Sequence, residues 1–338
     1  MPSRTFRSFV VHREASGQVT GGVQPLPFSD LPAGNVLIRV RYSSLNYKDA
    51  MAATGHPGIT KNFPHVPGID AAGTVVESED ARFQPGDEVI ATGHELGVER
   101  WGGWAEFVRV PGDWVVPLPD GITLEESMVL GTAGFTAAQS VQALLAHGIT
   151  PDQGSVIVSG ATGGVGSVSV MILAKLGFEV TAVSGKAVMH PWLKEIGARH
   201  VVGREELQEE QPRPLLKGKY AAGIDTVGGP TLTTMLKKVS YRGCVTCCGV
   251  AGGAEMNGTV FPFILRGITL SGIDSAWCPD DLRVNYWKLL ASEWKPDSLA
   301  SVKRLTSLES IDRYVDAILH GKNVGRVVLD LGERTSPE

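Results

Sequence analysis

The sequence predicts an α/β protein in which a mostly β region precedes a doubly wound, parallel sheet. Up to residue 120, short alternating patterns such as Val36 to Arg41 stand between turn signals such as Pro85-Gly86-Asp87, which is typical of compact β structure. From Leu124 onward, strand-like and helix-like segments alternate along the chain. This alternation favours parallel strands joined by helical crossovers.

The second region is predicted to hold six strands, at 155–159, 178–183, 199–203, 222–227, 244–248 and 268–273. A long helix from 124 to 147, interrupted near Gly131 and Gly134, comes first, and further helices are expected at 164–176, 188–196 and 230–239. Helices at 282–294 and 310–320 and a strand at 325–329 follow. The simplest organisation is a nucleotide-binding domain, 127–276, inserted between 1–126 and 277–338 of a second domain.

Composition limits the class of protein. The 338 residues are 43% hydrophobic and 20% charged, with a net charge of −5, and the pI is near 5.9. These values argue against nucleic acid or a membrane surface as the main partner. No apolar run reaches about 18 residues, and the N-terminus lacks the apolar stretch of a secretory signal. We therefore expect a cytoplasmic protein.

The segment 155–166 gives the clearest chemical signal. Val156-Ile157-Val158 has the pattern of a strand, and Gly160-Ala161-Thr162-Gly163-Gly164-Val165-Gly166 that of a turn opening a helix. A helix N-terminus attracts phosphate through its unpaired N–H groups and the positive end of its dipole. A dinucleotide is therefore expected to contact Thr162, Gly163, Gly164, Val165 and Gly166.

The end of the next strand indicates which dinucleotide is bound. An NAD site usually places Asp or Glu about 20 residues beyond the glycine turn, on the ribose 2′-hydroxyl. Here the strand 178–183 ends in Ser184-Gly185-Lys186, and a hydroxyl and a lysine suit a 2′-phosphate. We expect NADPH or NADP at Ser184, Gly185 and Lys186. Arg204 is either a second cation of this site or a surface charge.

The cysteines and histidines do not predict a metal site. Cys244 and Cys247 have C-x-x-C spacing but lie in an apolar segment of strand length, and no second pair or nearby histidine completes a zinc set. We interpret them as small core residues. His56, His65 and His94 lack the i, i+4 spacing of helical ligands and are expected in loops.

Several segments besides the turn carry a family resemblance. These are 43–49 (SSLNYKD), 67–73 (PGIDAAG), 131–137 (GTAGFTA) and 224–228 (IDTVG), with the more specific 101–103 (WGG), 111–114 (PGDW), 183–186 (VSGK) and 261–266 (FPFILR). Together they resemble the medium-chain dehydrogenases/reductases, in the zinc-free quinone-oxidoreductase branch and its acrylyl-CoA reductase (NADPH) subfamily. The resemblance spans nearly the whole chain. It implies a GroES-like, β-rich catalytic domain plus a Rossmann domain, and a homodimer formed through the strand near 268–273.

The resemblance also bears on zinc. Zinc alcohol dehydrogenases of the same superfamily place Cys where this chain has Asn46, and His-Glu where it has Ile69-Asp70. Isoleucine cannot bind a metal, and catalytic zinc needs about three protein ligands. A zinc-free reductase is therefore implied. Without a Lewis acid, hydride addition to a conjugated double bond is favoured over alcohol oxidation.

Two neighbouring residues are the candidate catalytic groups. Hydride addition to an activated alkene places negative charge on the carbonyl oxygen, where a donor lowers the barrier. Tyr47 is expected to supply that donor, or else to pack against the nicotinamide. Asn46 is expected to hold the ribose or the substrate carbonyl, or else to cap the helix beginning near Tyr47. Lys48 and Asp49 are interpreted as a solvated or helix-dipole pair, and Asp70 as a structural hydrogen-bonding residue.

Further cofactor contacts rest mainly on the resemblance. Thr132 either borders the nicotinamide or only begins a buried helix. The resemblance implies that Arg326 reaches the cofactor, and that Val250, Ile264 and Ser275 line the nicotinamide side through backbone contacts. Without the resemblance, the last three residues would be interpreted as core or loop residues.

The leading functional hypothesis is reduction of acrylyl-CoA, a 2-enoyl thioester, to propionyl-CoA by hydride transfer from NADPH to the β-carbon. The substrate rests on the resemblance, because no spacing in the sequence identifies a CoA pocket. Reduction of quinones or simple enones is the alternative. A nucleotide-binding structural protein, like the lens crystallins of the superfamily, is a third possibility, against which Asn46, Tyr47 and the complete turn argue.

Overall fold

The structure is a computed structural model that describes residues 4–208 and 213–332. Its first elements are β1 (Thr5–Arg13), β2 (Val19–Pro27), β3 (Val36–Leu45), α1 (Tyr47–Ala53), β4 (Asp70–Ser78), β5 (Glu88–Thr92), β6 (Phe107–Val110) and β7 (Val115–Pro117). The next are α2 (Leu124–Ala146), β8 (Val156–Val158), α3 (Gly164–Lys175), β9 (Val180–Val183), α4 (His190–Glu195) and β10 (His200–Val202). Then come β11 (Tyr220–Asp225), α5 (Gly229–Lys238), β12 (Val239–Cys247), α6 (Phe261–Arg266) and β13 (Thr269–Gly272). The last are α7 (Asp280–Ala291), β14 (Lys303–Thr306), α8 (Asp312–Leu319) and β15 (Arg326–Asp330).

The chain forms two compact units. The first contains the residues up to Thr132, Ala276–Ala291 and the chain from Val302 onward, and the second contains Ala133–Ser275 and Ser292–Ser301. The sequence placed the boundaries at 126/127 and 276/277.

The first unit is built on a seven-stranded sheet. Its strands have the order β14-β15-β3-β4-β5-β7, and β6 pairs with β3 beside this path. The alternating pattern of β3 buries Val36, Ile38 and Val40, as expected for a strand whose successive side chains point to opposite faces. These side chains belong to a core that includes Phe9 and Trp104, whose rings meet edge to face at 5.6 Å. This core holds β3 and β4 in place, and the candidate catalytic residues lie where these strands end and begin.

The second unit confirms the predicted doubly wound sheet. Its six strands have the order β10-β9-β8-β11-β12-β13, and every pairing is parallel. The first strand, β8, lies between β9 and β11, so the direction of strand succession reverses there. Ligands of such sheets bind outside the carboxyl ends of the strands at this reversal.

Helix α2 differs from its prediction at one of its two glycines. The helix passes through Gly134 and is broken only at Gly131, whose φ is 51° and ψ −158°.

Helix α2 is also long and apolar enough to cross a membrane by length and composition, although 72% of its most apolar 18-residue window is buried inside the fold. Core helices of folded proteins have the same properties, so this helix by itself does not indicate a membrane span. The short elements α6 and β14 were not predicted.

Candidate active site

The glycine turn after β8 is a tight backbone structure at the start of α3. Gly160 has a φ of +57°, and a Cβ there would lie 2.4 Å from Oγ1 of Thr226. A Cβ on Gly166 would lie 2.4 Å from the carbonyl oxygen of Gly160. Gly163 is the N-cap of the 12-residue helix α3. The glycines therefore let the backbone turn sharply and begin the helix with its N–H groups unobstructed, as phosphate binding requires.

A buried carboxylate fixes the end of β8 against the end of β11. The Oγ of Ser159 donates to Oδ1 of Asp225 at 2.7 Å, and the backbone N–H of Gly228 donates to Oδ2 at 2.7 Å. Burial raises the pKa of Asp225, and its hydrogen bonds to Ser159, Gly228 and Val227 oppose that rise. These contacts set the position of the glycine turn that follows Ser159.

Two basic side chains converge next to this turn, at the ends of β9 and β10. The Oγ of Ser184 accepts the backbone N–H of Lys186 at 3.1 Å. A Cβ on Gly185 would lie 2.6 Å from Nε of Arg204, so the side chain of Arg204 passes directly over Gly185. Burial lowers the pKa of Lys186, and the positive charge of Arg204 acts in the same direction. The structure therefore brings together the three side chains predicted to bind a 2′-phosphate.

The other predicted cofactor residues of the second unit lie at two places. Val250 and Ser275 follow β12 and β13, and so belong to the same carboxyl edge as the glycine turn. Ile264 lies on α6, and its side chain is 67% exposed. Two residues later, the guanidinium of Arg266 donates to the carbonyls of Lys237 and Val239, where β12 begins. The cofactor contact of Ile264 stays a prediction.

In the first unit, the candidate residues surround the carboxylate of Asp70. This side chain is fully buried at the start of β4. Its carboxylate accepts hydrogen bonds from Oγ of Ser44 at 2.5 Å, Nδ2 of Asn46 at 2.8 Å and Oγ1 of Thr132 at 2.6 Å. The backbone N–H of Thr132 donates to both carboxylate oxygens at 3.0 Å. Asp70 is thus a structural hydrogen-bonding residue, the role favoured for it from the sequence.

Arg326 lies inside the same network, and the structure gives it a positioning role. Its side chain is 2% exposed. The guanidinium donates to the carbonyls of Val129 and Leu45, to Oδ1 of Asn46 and to Oγ of Ser44 at 2.9–3.3 Å. Since these bonds use four of its five N–H donors, the geometry does not support the predicted cofactor contact, which stays a prediction.

Asp49 lies in the first turn of α1, where a helix-dipole residue is expected, but it is not solvated. Asp49 is fully buried and accepts the backbone N–H groups of Asn46, Gly68 and Ile69 at 2.7–3.2 Å. Its burial raises the pKa to about 7, with the charge of Asp70 acting in the same direction. A polar residue on the first turn of a short helix is usually solvated, so local sequence gave no signal of this burial.

The two candidate catalytic residues have different environments. Tyr47 is the first residue of α1, and its side chain is 39% exposed. Asn46 is 8% exposed and caps α1. Its Nδ2 lies within 3.2 Å of acceptors on Ser44, Asp49 and Asp70. The amide of Asn46 therefore serves the network and the cap, which was the alternative considered for it, whereas Tyr47 presents its side chain to solvent.

The residues near Asn46 do not fit a zinc ion. Ile69 is buried, and its backbone N–H is bound to Asp49. In the described residues, no group of three or more His, Cys, Asp or Glu side chains could hold a metal ion. Cys244 is buried in β12, as expected of a core residue, and burial raises the pKa of its thiol to about 11.

Two family profiles match the chain: "Alcohol dehydrogenase GroES-like domain" over residues 32–120 and "Zinc-binding dehydrogenase" over residues 164–292. Acrylyl-CoA reductase AcuI of Ruegeria pomeroyi is 43% identical over 96% of this chain and 99% of its own length. The chain belongs to the medium-chain dehydrogenase/reductase superfamily. Within it, the chain falls in the quinone-oxidoreductase and acrylyl-CoA reductase branch, as the sequence motifs predicted, and it is an oxidoreductase.

Solved structures of this superfamily agree with the fold. The yhdH oxidoreductase from Salmonella enterica, in complex with NADP, has a TM-score of 0.93 and 44% identity, covering 96% of this chain and 100% of that one. The Bacillus subtilis protein yhfP, with NAD bound, has a TM-score of 0.94 and 45% identity, covering 97% and 100%.

The buried carboxyl of Asp49 predicts a specific pH dependence of stability. In the unfolded chain the carboxyl of Asp49 has an ordinary pKa of about 3.9, whereas burial in the folded protein raises its pKa to about 7. This group therefore favours the folded state most below about pH 4, and its contribution declines as the pH rises towards 7. The free energy of unfolding is measured by urea titration for the wild type and for Asp49→Asn. The wild-type value minus the Asp49→Asn value should fall by about 1 kcal/mol for each pH unit between about 4 and 7.

An exposed carboxylate provides the control, because Asp120→Asn removes a charge at the surface. The difference between wild type and Asp120→Asn should stay nearly constant with pH. A constant difference for Asp49→Asn as well would refute the raised pKa.

Proposed function

We propose that this chain is an NADPH-dependent, zinc-independent reductase of the activated C=C bond of acrylyl-CoA, forming propionyl-CoA. The observation that carries the proposal is the convergence of Lys186 and Arg204 on Gly185, beside the glycine turn. Two cations and the hydroxyl of Ser184 provide charge and donors for a 2′-phosphate. The substrate class is supported by the likeness to acrylyl-CoA reductase AcuI of Ruegeria pomeroyi.

Bound NADPH supplies the hydride, and the residues of the chain supply position and electrostatics. The start of α3 holds the diphosphate, while Lys186 and Arg204 hold the 2′-phosphate. When the β-carbon gains the hydride, negative charge moves to the thioester oxygen, and the phenol of Tyr47 donates to that oxygen. The α-carbon then takes a proton that comes from solvent water, which completes the saturated thioester. Asn46 and Asp49 hold the first turn of α1, and so hold Tyr47, in place.

Zinc independence follows from the same residues. The amide of Asn46 is engaged by Asp49, Asp70 and Arg326, and Ile69 offers no ligand atom. A bound metal would need about three protein ligands, which this group of residues does not supply.

Reduction of quinones or enones is the second candidate. The Mus musculus protein named quinone oxidoreductase is 28% identical over 70% of this chain. The two substrate classes need the same hydride donor and the same donor to a developing oxyanion, so the geometry near Tyr47 suits both.

Parallel turnover measurements separate the two substrates. We expect NADPH oxidation with acrylyl-CoA, and more slowly with crotonyl-CoA, at a kcat/KM above that for 1,4-benzoquinone. Efficient quinone reduction without turnover of either thioester would overturn the thioester assignment and leave the second candidate.

The cofactor assignment predicts the effect of Lys186→Ala. Loss of one charge-assisted contact costs about 1.5–3 kcal/mol, so the KM for NADPH should rise about tenfold or more, while the KM for NADH changes little. The matched control is Lys194→Ala, which removes an exposed lysine of the same unit. NADH is the relevant comparison, because the structure of Bacillus subtilis yhfP contains NAD. An equal rise in the KM values for NADPH and NADH would refute a 2′-phosphate role for Lys186.

The role of Tyr47 predicts a split between kcat and cofactor affinity. Tyr47→Phe should lower kcat about 100-fold, because one oxyanion donor is lost, with the KM for NADPH nearly unchanged. Tyr241→Phe, at a 68% exposed tyrosine of β12, is the control and should behave as wild type. An unchanged kcat in Tyr47→Phe would leave Tyr47 only the packing role.

We also propose a cytoplasmic homodimer. Support comes from β13, which is the edge strand of its sheet and leaves Thr269 and Gly272 exposed, so its backbone can pair with a second copy. Sedimentation equilibrium should give twice the chain mass of 36.0 kDa. A monomer would contradict the dimer, and a mass four times that of the chain would replace it with a tetramer.

A further inference from the structure

A cluster of basic and aromatic side chains in the first unit is not used by the proposed chemistry. We call it the His94 cluster; it contains His94, Arg100, Trp114, Trp277 and Arg283. The imidazole of His94 stacks on the indole of Trp114 with ring centroids 5.1 Å apart and meets Trp277 edge-on at 5.8 Å. The guanidinium of Arg100 lies over Trp114, 5.3 Å from its centroid. Three rings and a guanidinium thus form one continuous surface.

This cluster has hydrogen-bonding groups without partners. Nε and Nη2 of Arg100 and Nε2 of His94 are buried and make no hydrogen bond to the described residues. Buried polar atoms of folded proteins nearly always have a partner, so such groups indicate a missing ligand, ion or water. Two of the three atoms belong to a guanidinium, whose planar N–H groups suit phosphate or carboxylate.

The charged groups around His94 are two arginines and two acids. Arg283 is 1% exposed, with its guanidinium bonded to the carbonyls of Thr92 and Ala276. Two acids also face His94: Asp280 at the start of α7, and Asp113, which is paired with Arg82 at 2.5 Å. Arg82 is shared between Asp113 and Asp80, which it binds at 2.6 Å, so the two arginines of the cluster face Asp280 and a partly compensated Asp113.

The backbone at His94 is strained. Its φ is 53°, a left-handed conformation that is uncommon for residues other than glycine. The backbone N–H of His94 donates to the carbonyl of Ala276 at 3.0 Å. Such strain persists only where the surrounding structure imposes it, and it clusters at binding and catalytic sites. Here it turns the imidazole between Trp114 and Trp277.

The His94 cluster lies close to the network around Asp70. Thr92, the last residue of β5, pairs directly with Asp70 across the ladder, and Arg283 binds the carbonyl of Thr92 at 2.9 Å. His94 follows two residues later in the turn after β5, so its Cα lies within about 7 Å of that of Thr92. A long substrate with its reactive end near Tyr47 can therefore place its far end on the cluster.

We propose that the His94 cluster binds the phosphorylated adenosine end of the CoA thioester. Arg100 holds a phosphate group, and the indole of Trp277, which is 61% exposed, stacks on the adenine. Base stacking on aromatic side chains and bidentate contacts of arginine with phosphate are the usual contacts of such ligands. This assignment rests on the proposed function, and it names the part of the chain that distinguishes a CoA ester from a small enone.

The kinetic test compares acrylyl-CoA with the acrylyl thioester of N-acetylcysteamine, which lacks the nucleotide. Arg100→Gln and Trp277→Ala should each raise the KM for acrylyl-CoA about tenfold, while kcat/KM for the truncated thioester changes less than about twofold. Arg100→Lys, which keeps the charge but not the planar fork, should fall between wild type and Arg100→Gln. Arg199→Gln, at an exposed arginine of the second unit, is the control. Equal losses with both thioesters, or no loss with either, would overturn the site.

A binding test needs no turnover. With NADP saturating the cofactor site, calorimetry should show adenosine 3′,5′-bisphosphate binding to the wild type and binding about tenfold more weakly to Arg100→Gln, and inorganic phosphate should bind much more weakly than the bisphosphate. Phosphate binding as tightly as the bisphosphate would overturn the adenosine assignment and leave a free-phosphate site.

The two tests separate the proposals. Turnover of acrylyl-CoA without bisphosphate binding would overturn the site and keep the proposed function. Bisphosphate binding through Arg100 without any thioester turnover would overturn the proposed function and support the site.

Discussion

The carboxylate of Asp70 is the interaction on which the arrangement of the first unit depends. Its partners come from the end of β3, the cap of α1 and the break in α2: Ser44, Asn46 and Thr132. A buried carboxylate is tolerated only where donors surround it. The same need draws in Arg326, whose guanidinium lies 3.9 Å from Asp70 and binds Ser44 and Asn46. The positions of Tyr47 and Thr132 therefore follow from one buried charge.

A buried carboxylate also positions the site in the second unit. At the end of β8, Asp225 accepts a hydrogen bond from the hydroxyl of Ser159 and so fixes the start of the glycine turn. Beside that turn the charges are positive: burial lowers the pKa of Lys186, and the nearby charge of Arg204 acts in the same direction. Like charges brought together raise the free energy of a fold, and a bound phosphate relieves that cost. This arrangement is the physical argument for NADPH in place of NADH.

The sequence predicted much of the fold because hydrophobic periodicity and glycine placement are local signals. The alternation of strands and helices in the second unit gave the parallel sheet, and Ser184-Gly185-Lys186 gave the basic site. Local signals could not separate Gly131 from Gly134. At Gly131 a Cβ would meet buried polar atoms, 2.5 Å from Oδ2 of Asp70 and 2.8 Å from Nη2 of Arg326. The difference is set by tertiary contacts.

Contacts between residues far apart in sequence also explain why the burial of Asp49 and the His94 cluster were not predicted. Asp49 is buried because N–H groups of Gly68 and Ile69, about 20 residues away, point at it, and no local pattern encodes that contact. The His94 cluster joins the end of β5 to α7, as the hydrogen bond of Arg283 to Thr92 shows, and these two residues are 191 positions apart in sequence. Buried polar networks depend on such distant partners, whereas strands and turns do not.

Isotope placement tests most directly whether hydride reaches the β-carbon of an enoyl thioester. Acrylyl-CoA would be turned over with NADPH deuterated on each face of C4 in turn, and the propionyl-CoA analysed by NMR. The proposed chemistry predicts deuterium at the β-carbon from one of the two labelled cofactors, and solvent deuterium at the α-carbon when the reaction runs in D2O with unlabelled NADPH. Cofactor deuterium at the α-carbon, or no deuterium from NADPH in the product, would contradict it.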